Sequence, residues 1–172
     1  MKLLPKKPAM PAALPMPAAA ADVPKDACDL LDADHVAVKH LMVEYARLAA
    51  AAPLLDPRGE RRAIAQRICK ELTVHAQIEE EIFYPALQGA VPGEQLEEAR
   101  EEHQGIKGLV ARIQGMRNAD PAMDELVAEL AREVEHHVKE ERDEIFPEAK
   151  AAESVDLVAL GEQLKERQAQ LQ

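Results

Sequence analysis

Two segments of the chain repeat one arrangement of histidine and glutamate, side chains that bind metal ions or transfer protons in many proteins. The first pair is His75 and Glu79, and the second pair is His137 and Glu141. In both, the glutamate lies four residues after the histidine and a proline lies ten residues after it. Residues four apart share one face of an α-helix, so each pair can direct both side chains at the same site.

An upstream segment is doubled as well. Residues 34–41 align with residues 102–109, with a histidine, a β-branched residue, a lysine and a leucine at the same offsets. The histidines of this second alignment are His35 and His103. The chain therefore contains the unit His, then His-x-x-x-Glu, then Pro twice, which is the layout of a metal site with ligands from several helices.

The composition favours a single helical domain and narrows the choice of partners. The 172 residues include only 7 Gly and 2% aromatic residues, so a large β-sheet is not expected. The net charge of −11 argues against nucleic acid or an anionic membrane as a partner, because both require clustered Lys and Arg. No apolar run approaches the ~20 residues of a transmembrane helix. We expect a cytoplasmic protein, with Cys28 and Cys69 as free thiols.

The first 24 residues differ in composition from the rest of the chain. They carry Lys2, Lys6 and Lys7, followed by a tract rich in alanine, proline and methionine. The tract resembles a signal peptide slightly, but repeated prolines interrupt any apolar core of such a peptide. We interpret residues 1–24 as a disordered or extended arm and residues 25–172 as the folded domain.

Proline, glycine and aspartate divide the folded domain into five predicted helices. Four of them have one apolar stripe and short connections, which predicts an all-α fold, an antiparallel up-down four-helix bundle. The fifth is a short C-terminal helix expected to flank it. The predicted bounds are about Asp26 to Ala52 for helix A, with a loop from Pro53 to Gly59, about Glu60 to Leu87 for helix B, bent or ended near Pro85, about Glu94 to Arg117 for helix C, capped by Asn118, about Pro121 to Ile145 for helix D, broken by Pro147, and about Asp156 to Leu171 for helix E.

Helical phase places six candidate metal ligands on the inner stripes of helices A to D. They are His35, His75, Glu79, His103, His137 and Glu141. An unpaired buried carboxylate costs several kcal/mol or becomes protonated, so two inward glutamates require compensation. Six ligands are too many for one tetrahedral zinc ion but suit a pair of ions, and nitrogen and oxygen donors without thiolate favour iron or manganese.

Other residues of the same types fall outside this phase. His40 with Glu44 and His136 with Glu140 also show the four-residue spacing. His40 lies about 140° around the helix from His35 and should face away from the core. The second pair is one residue out of phase with the stripe of helix D. We interpret both pairs as surface groups or outer partners of the ligands.

Three further side chains near the site have simpler interpretations. Glu80 and Glu81 follow an inward glutamate and are expected to form a solvated face. Tyr45 lies on the inner stripe of helix A and has two interpretations. It packs in the core with its polar tip satisfied, which is favoured, or it donates a hydrogen bond to a metal-bound oxygen.

The segments 75–85 and 137–147 resemble the hemerythrin-like, or HHE cation-binding, family, and the resemblance extends over about residues 28–150. It implies a four-helix bundle that holds a non-haem di-iron centre with an oxo or hydroxo bridge. It also implies that Glu79 and Glu141 bridge the two irons. The histidines would complete the coordination spheres, and they are His35, His75, His103 and His137.

The chain departs from the oxygen-carrying members of that family at two positions. Those proteins have a second histidine one turn after the histidine of the third helix, and an aspartate as the last carboxylate. Here the two positions are Lys107 and Glu141. An ammonium group cannot bind a metal ion, so one iron has a position filled by water, by another carboxylate or by nothing. The chain thus looks more like bacterial relatives associated with peroxide, oxygen, nitric oxide or iron handling.

Three functions are compatible with these features. The favoured one is a di-iron protein that binds or senses oxygen or a related small oxidant, such as peroxide or nitric oxide. The alternative is a di-iron enzyme with catalase-like or peroxidase-like activity, or an iron-handling protein. The third is a metal-free helical interaction module, against which the buried carboxylates count. The sequence leaves open whether the protein is an enzyme and identifies no protein partner.

Overall fold

A computed structural model of the protein describes residues 25–55 and 58–172. Within these residues the chain is helical and contains no β-strand, so the predicted all-α fold is confirmed. The arm predicted for residues 1–24 lies outside the described residues.

Helical segments in the described part of the chain join into five rods. The second rod consists of α2, π1 and α3 without interruption, and the fourth consists of α5, π2 and α6. The segments are α1 (Ala27–Leu55), α2 (Arg58–Ile78), π1 (Glu79–Phe83), α3 (Tyr84–Ala86), α4 (Gly93–Gly115), α5 (Pro121–Glu140), π2 (Glu141–Ile145), α6 (Phe146–Ala151) and α7 (Leu157–Leu171).

The helices pack as an antiparallel four-helix bundle with one additional helix. The rod of α1 packs against α2 and α5, and α4 packs against α2 and α5, which closes the bundle. The last helix, α7, packs against α1, α2 and π1. A Cβ atom on Gly161 would lie 3.2 Å from the backbone nitrogen of Ala27, so the glycine permits α7 to approach the start of α1 closely.

Two prolines lie inside rods that they were expected to bend or end. The prediction that helix D breaks at Pro147 is wrong, since the rod continues through α6. The prediction that helix B is bent or ended near Pro85 is confirmed, since Pro85 lies within α3, which ends at Ala86. Each proline follows a π-helical turn, in which an N–H bonds to the carbonyl five residues earlier. A return from this register to the α-helical register leaves one carbonyl without a donor. A proline at that point, which has no N–H, therefore costs little hydrogen bonding.

Of three other predicted boundaries, two differ from the structure by a few residues and one is confirmed. The first helix was expected to stop at Pro53 but ends at Leu55, since one missing N–H in the last turn leaves the preceding hydrogen bonds intact. The predicted cap at Asn118 is wrong, because α4 ends earlier and Met116 has extended backbone angles. The predicted start of helix D is confirmed, and the Asp120 carboxylate accepts hydrogen bonds from two backbone N–H groups of α5.

Two clusters of buried apolar side chains fill the bundle, one toward each end. Every rod of the four-helix bundle contributes to both clusters, so each helix passes through a layer between them. Members of one cluster include Val38, Leu72, Ile106 and Val134, and members of the other include Leu31, Ile78, Ala99 and Ile145. Buried histidine and glutamate side chains lie in the intervening stretches.

Candidate metal centre

The layer between the two apolar clusters contains all six candidate ligands. Each of them is at most 5% exposed, and both glutamates are fully buried. Five place a ligand atom within 4.8 Å of one another, namely His35, His75, Glu79, His137 and Glu141. The sixth, His103, has its Nε2 atom 3.1 Å from that of His137.

The four histidines form two pairs whose Nε2 atoms face each other. His35 of α1 and His75 of α2 have these atoms 2.9 Å apart. His103 of α4 and His137 of α5 have them 3.1 Å apart. In such a contact only one ring nitrogen can carry the proton, and the second presents a lone pair. Each pair thus places two potential metal-binding nitrogens close to one point.

Each glutamate lies between one histidine of one pair and one histidine of the other. Glu79 Oε2 is 3.2 Å from His75 Nε2 and 3.3 Å from His103 Nε2. The second carboxylate has the corresponding contacts in the other half of the site, with His35 at 3.3 Å and His137 at 3.7 Å from Glu141 Oε2. The arrangement offers two sets of two nitrogens, with both carboxylates shared between the sets.

The π-helical turns begin at these two glutamates and rotate the next residues of each rod to a new phase. Tyr84 comes five residues after Glu79, which in a regular α-helix would separate the two by about 140°. The extra residue of π1 reduces this angle to about 40°, so Tyr84 turns to the same face. Phe146 has the same relation to Glu141 across π2.

Tyr84 is a member of the site that the sequence interpretation missed. Its hydroxyl donates to Glu141 Oε1 at 3.0 Å and lies 3.5 Å from His103 Nε2. Burial and the negative charges of both glutamates raise the pKa of Tyr84 well above its ordinary value. At the equivalent position of the second repeat stands Phe146, which stacks on His35 with ring centroids 6.1 Å apart. The sequence signal for this position was an aromatic residue nine residues after the repeated histidine in both repeats.

His75 and His137 each have a carboxylate partner behind the ring. In each repeat, the residue that supplies this carboxylate comes directly before the first histidine. His137 Nδ1 lies 2.9 Å from Glu102 Oε2, in position to donate a hydrogen bond. His75 Nδ1 lies 3.7 Å from Asp34 Oδ2, a longer electrostatic contact. Such partners fix the orientation of an imidazole and increase the basicity of the nitrogen that faces the metal.

Glu80 is the outer partner of His103, so its assignment to a solvated face is wrong. Its side chain is 26% exposed, and Oε1 lies 3.1 Å from His103 Nδ1. Both of its oxygens accept from Lys107 Nζ at 2.6 Å. Lys107, whose ammonium group cannot bind a metal ion, thus holds the Glu80 carboxylate in place behind His103. Glu81 is exposed, as predicted, and pairs with Arg167.

The partner of His35 breaks the symmetry between the repeats. The residue equivalent to Glu80 is Arg142, which cannot accept a hydrogen bond and pairs with Asp32. His35 Nδ1 is buried and has no hydrogen-bond partner. The two halves of the site therefore differ behind the histidines contributed by α1 and α4.

Three residues of suitable type lie outside the six-residue layer, namely two histidines, as their phase predicted, and Tyr45. His40 is exposed on α1. His136 is 61% exposed and contacts Glu140 at the surface. Tyr45 donates to Asp124 at 2.8 Å in the apolar cluster at one end of the bundle, so of its two interpretations the structure supports core packing.

The ionisable groups of the layer have strongly opposed pKa shifts. Burial, reinforced by the charge of His75, lowers the pKa of His35 to about 2. Burial also acts against the charged form of His75, but Glu79 and Asp34 outweigh it and raise that pKa to about 10. Burial and the charge of Glu79 raise the pKa of Glu141 to about 8. With protein atoms alone, His35 and His75 therefore favour opposite charge states.

Unpartnered oxygens in the same layer test whether a cation fits. Both carboxylate oxygens of Glu79 and Oε2 of Glu141 are buried without a hydrogen-bond partner. Buried polar atoms in native proteins nearly always have one, so these three acceptors require compensation. Imidazole nitrogens and carboxylate oxygens are good donors for first-row transition metals. The layer therefore has the composition and the deficit of positive charge that a cation would correct.

A helical bundle with such a layer belongs to the class of cation-binding bundles. The sequence pattern of the family described as Hemerythrin HHE cation binding domain matches residues 26–149. This match covers more than half of the 172 residues. The chain belongs to this family, and the expected resemblance is confirmed.

Two known proteins are similar to the chain. The crystal structure of a hemerythrin HHE cation binding domain-containing protein from Mycobacterium kansasii has a TM-score of 0.69 and 25% identity, over 86% of this chain and 87% of that one. A protein named DNA nickase from Nostoc sp. is 29% identical over 118 residues. That match covers 69% of this chain and 32% of the relative, so the chain spans about a third of the relative's length.

The described helices include no candidate membrane span. In residues 25–55 and 58–172, every helix is too short or too polar to cross a bilayer.

Proposed function

We propose that the chain binds two iron ions in the buried layer and that it binds or senses oxygen, peroxide or nitric oxide there. The proposed ligands are His35, His75, Glu79, His103, His137 and Glu141. The observation that carries the proposal is the position of the two carboxylates. Each carboxylate lies within 3.7 Å of one histidine from the first pair and one from the second pair. A carboxylate shared by two ions requires this position.

Iron bound in this layer would supply a redox-active Lewis acid that takes a small oxidant as a ligand. The chain's own residues provide the surroundings. The apolar clusters on either side exclude bulk water, which strengthens the electrostatic interactions inside. Glu80 and Glu102 hold two of the histidines in a fixed orientation. The Tyr84 hydroxyl holds Glu141 and provides one proton donor at the layer.

A cleft between α1 and α5 supports access for a small, weakly polar ligand. It has a volume of about 570 Å³, and His35 lies in its lining. Its walls are mainly apolar and include Met42, Val134 and Val138, while Lys39 and Arg142 also line it. Oxygen and nitric oxide partition readily into such surroundings, because their burial costs no hydrogen bonds.

The second candidate function is a di-iron enzyme that consumes peroxide. Tyr84 favours it, because its hydroxyl, 3.5 Å from His103 and 3.0 Å from Glu141, places a hydrogen-bond donor for a peroxide beside the proposed ions. The experiment that separates the two functions is rapid mixing of the reduced, iron-loaded protein with oxygen and, separately, with peroxide. A stable spectroscopic species that forms in proportion to protein supports binding. Many turnovers of added peroxide per protein support the enzyme.

Oxygen evolution or peroxide loss must be compared with a matched variant. Glu79→Gln removes the negative charge of a proposed bridging ligand with little change of volume. If the wild type and this variant consume peroxide at the same rate, the iron layer is not the site of the activity. If neither protein retains iron after expression with excess iron, the proposed function is wrong in both forms.

We further propose that the protein is cytoplasmic and takes neither nucleic acid nor a membrane as its partner. The net charge of −11 supports the absence of such partners, because nucleic acids and anionic membranes both bind clustered basic side chains. The nickase activity named for the Nostoc protein belongs to a chain of which this one spans about a third. A nicking assay on supercoiled plasmid with iron-loaded protein tests the point. Conversion to the open circle that depends on protein concentration would contradict the proposal.

A further inference from the structure

A second group of metal-binding side chains lies beside the buried layer, on the surface between α4 and α5. It consists of Glu102, His136 and Glu140, whose ligand atoms lie within 4.8 Å of one another. His136 Nε2 is 3.4 Å from Glu102 Oε1 and 3.3 Å from Glu140 Oε1. Two residues come from one helix at a spacing of four, and the third comes from the neighbouring helix.

We propose that these three side chains form an outer cation site for a divalent first-row metal ion. One imidazole nitrogen and two carboxylate oxygens suit Fe²⁺, Co²⁺ and Zn²⁺ and leave further positions for water. The two carboxylates carry like charges toward one point, which a divalent cation neutralises. The site is open to solvent, since the His136 side chain is 61% exposed.

An unpartnered oxygen gives independent support for a ligand at this position. Glu102 Oε1 is screened from water and has no hydrogen-bond partner, although it faces His136 at 3.4 Å. The other oxygen of the same carboxylate is engaged by His137 Nδ1 at 2.9 Å. Burial of an acceptor without a partner is unfavourable. A cation between His136 and Glu140 would supply the missing interaction.

The first repeat lacks this group, and the difference follows the exposure of the surface. The residues equivalent to His136 and Glu140 are Val74 and Ile78, and both are buried. Ile78 belongs to the same apolar cluster as Leu160 of α7, which packs against this side of the bundle. In the first repeat α7 covers this face of the helix, whereas in the second repeat the equivalent face is exposed and carries His136 and Glu140.

A comparison within the chain shows what distinguishes this group from an ordinary helical pair. His40 and Glu44 have the same spacing on the exposed face of α1. In the described residues they belong to no group of three metal-binding side chains. The third donor from a different helix, Glu102, is what makes the outer group a candidate chelating site.

The outer site is connected to the buried layer through a graded series of donors. The exposed fraction of the side chain falls from 61% at His136 to 27% at Glu140, 14% at Glu102 and 3% at His137. We propose that the outer site captures Fe²⁺ and passes it inward along this series. This role rests on the proposed di-iron function, whereas cation binding at the outer site does not.

Titration calorimetry with Zn²⁺ tests the outer site. In iron-loaded wild-type protein, one additional Zn²⁺ per chain is expected, and the variants His136→Ala and Glu140→Gln should each weaken its binding by at least tenfold. His40→Ala is the matched control and should bind as the wild type does. Equal Zn²⁺ stoichiometry and affinity in all four proteins would overturn the proposal. Thermal unfolding of each variant verifies that the bundle is folded.

The loading role is tested separately by the rate at which metal-free protein acquires iron. After mixing with Fe²⁺ at a concentration near that of the protein, His136→Ala should fill the buried layer several times more slowly than the wild type. The final iron content should be unchanged, because His136 is not a proposed ligand of that layer. Equal rates would overturn the loading role. If no protein retains buried iron but Zn²⁺ still binds in a His136-dependent manner, the di-iron function fails and the outer site stands.

Discussion

Glu79 and Glu141 are the first residues of the two π-helical turns, and each contacts the histidine four residues before it. π-Helical turns are rare, because the wider turn has poorer hydrogen-bond geometry. Those that occur are frequently at functional sites. Here the turn rotates the next aromatic residue of the rod, Tyr84 or Phe146, onto the inner face. The repeated sequence unit thus encodes a repeated local distortion as well as a repeated pair of candidate ligands.

Replacement of a proposed ligand should remove iron, whereas replacement of an out-of-phase histidine should not. We expect His75→Ala to lose at least one of two irons per chain and to unfold at a lower temperature, since bound metal stabilises the folded state. His40→Ala should keep both irons, because His40 is exposed on α1. Metal analysis and thermal unfolding measure the two effects. Loss of iron in His40→Ala with retention in His75→Ala would show that the assignment of the inner face is wrong.

The Tyr84 hydroxyl should affect the electronic properties of the site more than its occupancy. Tyr84→Phe removes the hydrogen bond to Glu141 but leaves the six proposed ligands in place. We therefore expect iron content near that of the wild type and a changed visible absorption spectrum of the ferric protein. The control is Tyr45→Phe, which loses a hydroxyl bonded to Asp124 outside the site. Identical spectra in Tyr84→Phe and the wild type would exclude a role for this hydroxyl at the metal.

The carboxylate behind His103 should support metal affinity without binding the metal. Glu80→Ala leaves His103 Nδ1 without its acceptor at 3.1 Å and frees Lys107. The loss of such an outer partner lowers metal affinity by about 10–100-fold. Competition with a chelator of known affinity measures the change. Glu81→Ala, which alters only surface contacts with Arg167 and Gln77, should have no effect, and equal losses in both variants would contradict the assignment.

A charged cluster at one end of the bundle should stabilise the fold independently of metal. Arg61 is 3% exposed and donates to both oxygens of Asp124 and to the carbonyl of Ala119. Asp124→Ala leaves a buried guanidinium without its counter-ion, which costs about 3–5 kcal/mol of unfolding free energy. Urea denaturation should show this loss, with little change for the exposed Glu125→Ala. Unchanged stability in Asp124→Ala would mean that Arg61 finds another partner.

Stability should fall at alkaline pH because both cysteines are buried as thiols. Burial raises the pKa of Cys69 from 9.0 to about 11 and that of Cys28 to about 12. The unfolded state ionises first, so the folded state binds more protons above pH 9 and its stability decreases as pH rises toward 11. Cys69→Ala should show a smaller decrease between these pH values than the wild type. A slope unaffected by the substitution would contradict the assignment.

Helical phase was sufficient to predict the fold class and the inward position of the six candidate ligands. A spacing of three, four or seven residues is preserved along α1 and α4, which carry His35 and His103, and along the other two rods as far as their π-helical turns. The other four candidate ligands lie before or at those turns. Tyr84 was missed because it lies beyond the turn, where one additional residue rotates the helix. A sequence pattern does not show a π-helical turn directly, although the matched prolines ten residues after His75 and His137 mark its end.

The outer partners could not be predicted for a different reason. Glu80 is neither on the apolar stripe nor on the solvent face, and its position depends on how α4 aligns with the second rod. Its contacts with His103 and Lys107 arise from that alignment between helices. The same is true of Glu102, which reaches His137 from a neighbouring helix. Periodicity within one helix carries no information about such alignment.

Iron content measures the central claim most directly. Protein expressed with excess iron and then treated with a weak chelator, which strips exposed ions, should retain about two irons per chain. Glu79→Gln, prepared in parallel, should retain fewer, because its side chain contacts histidines of both pairs. Fewer than about half an iron per chain in the wild type, or equal retention in the variant, would contradict a di-iron centre shared between the two histidine pairs.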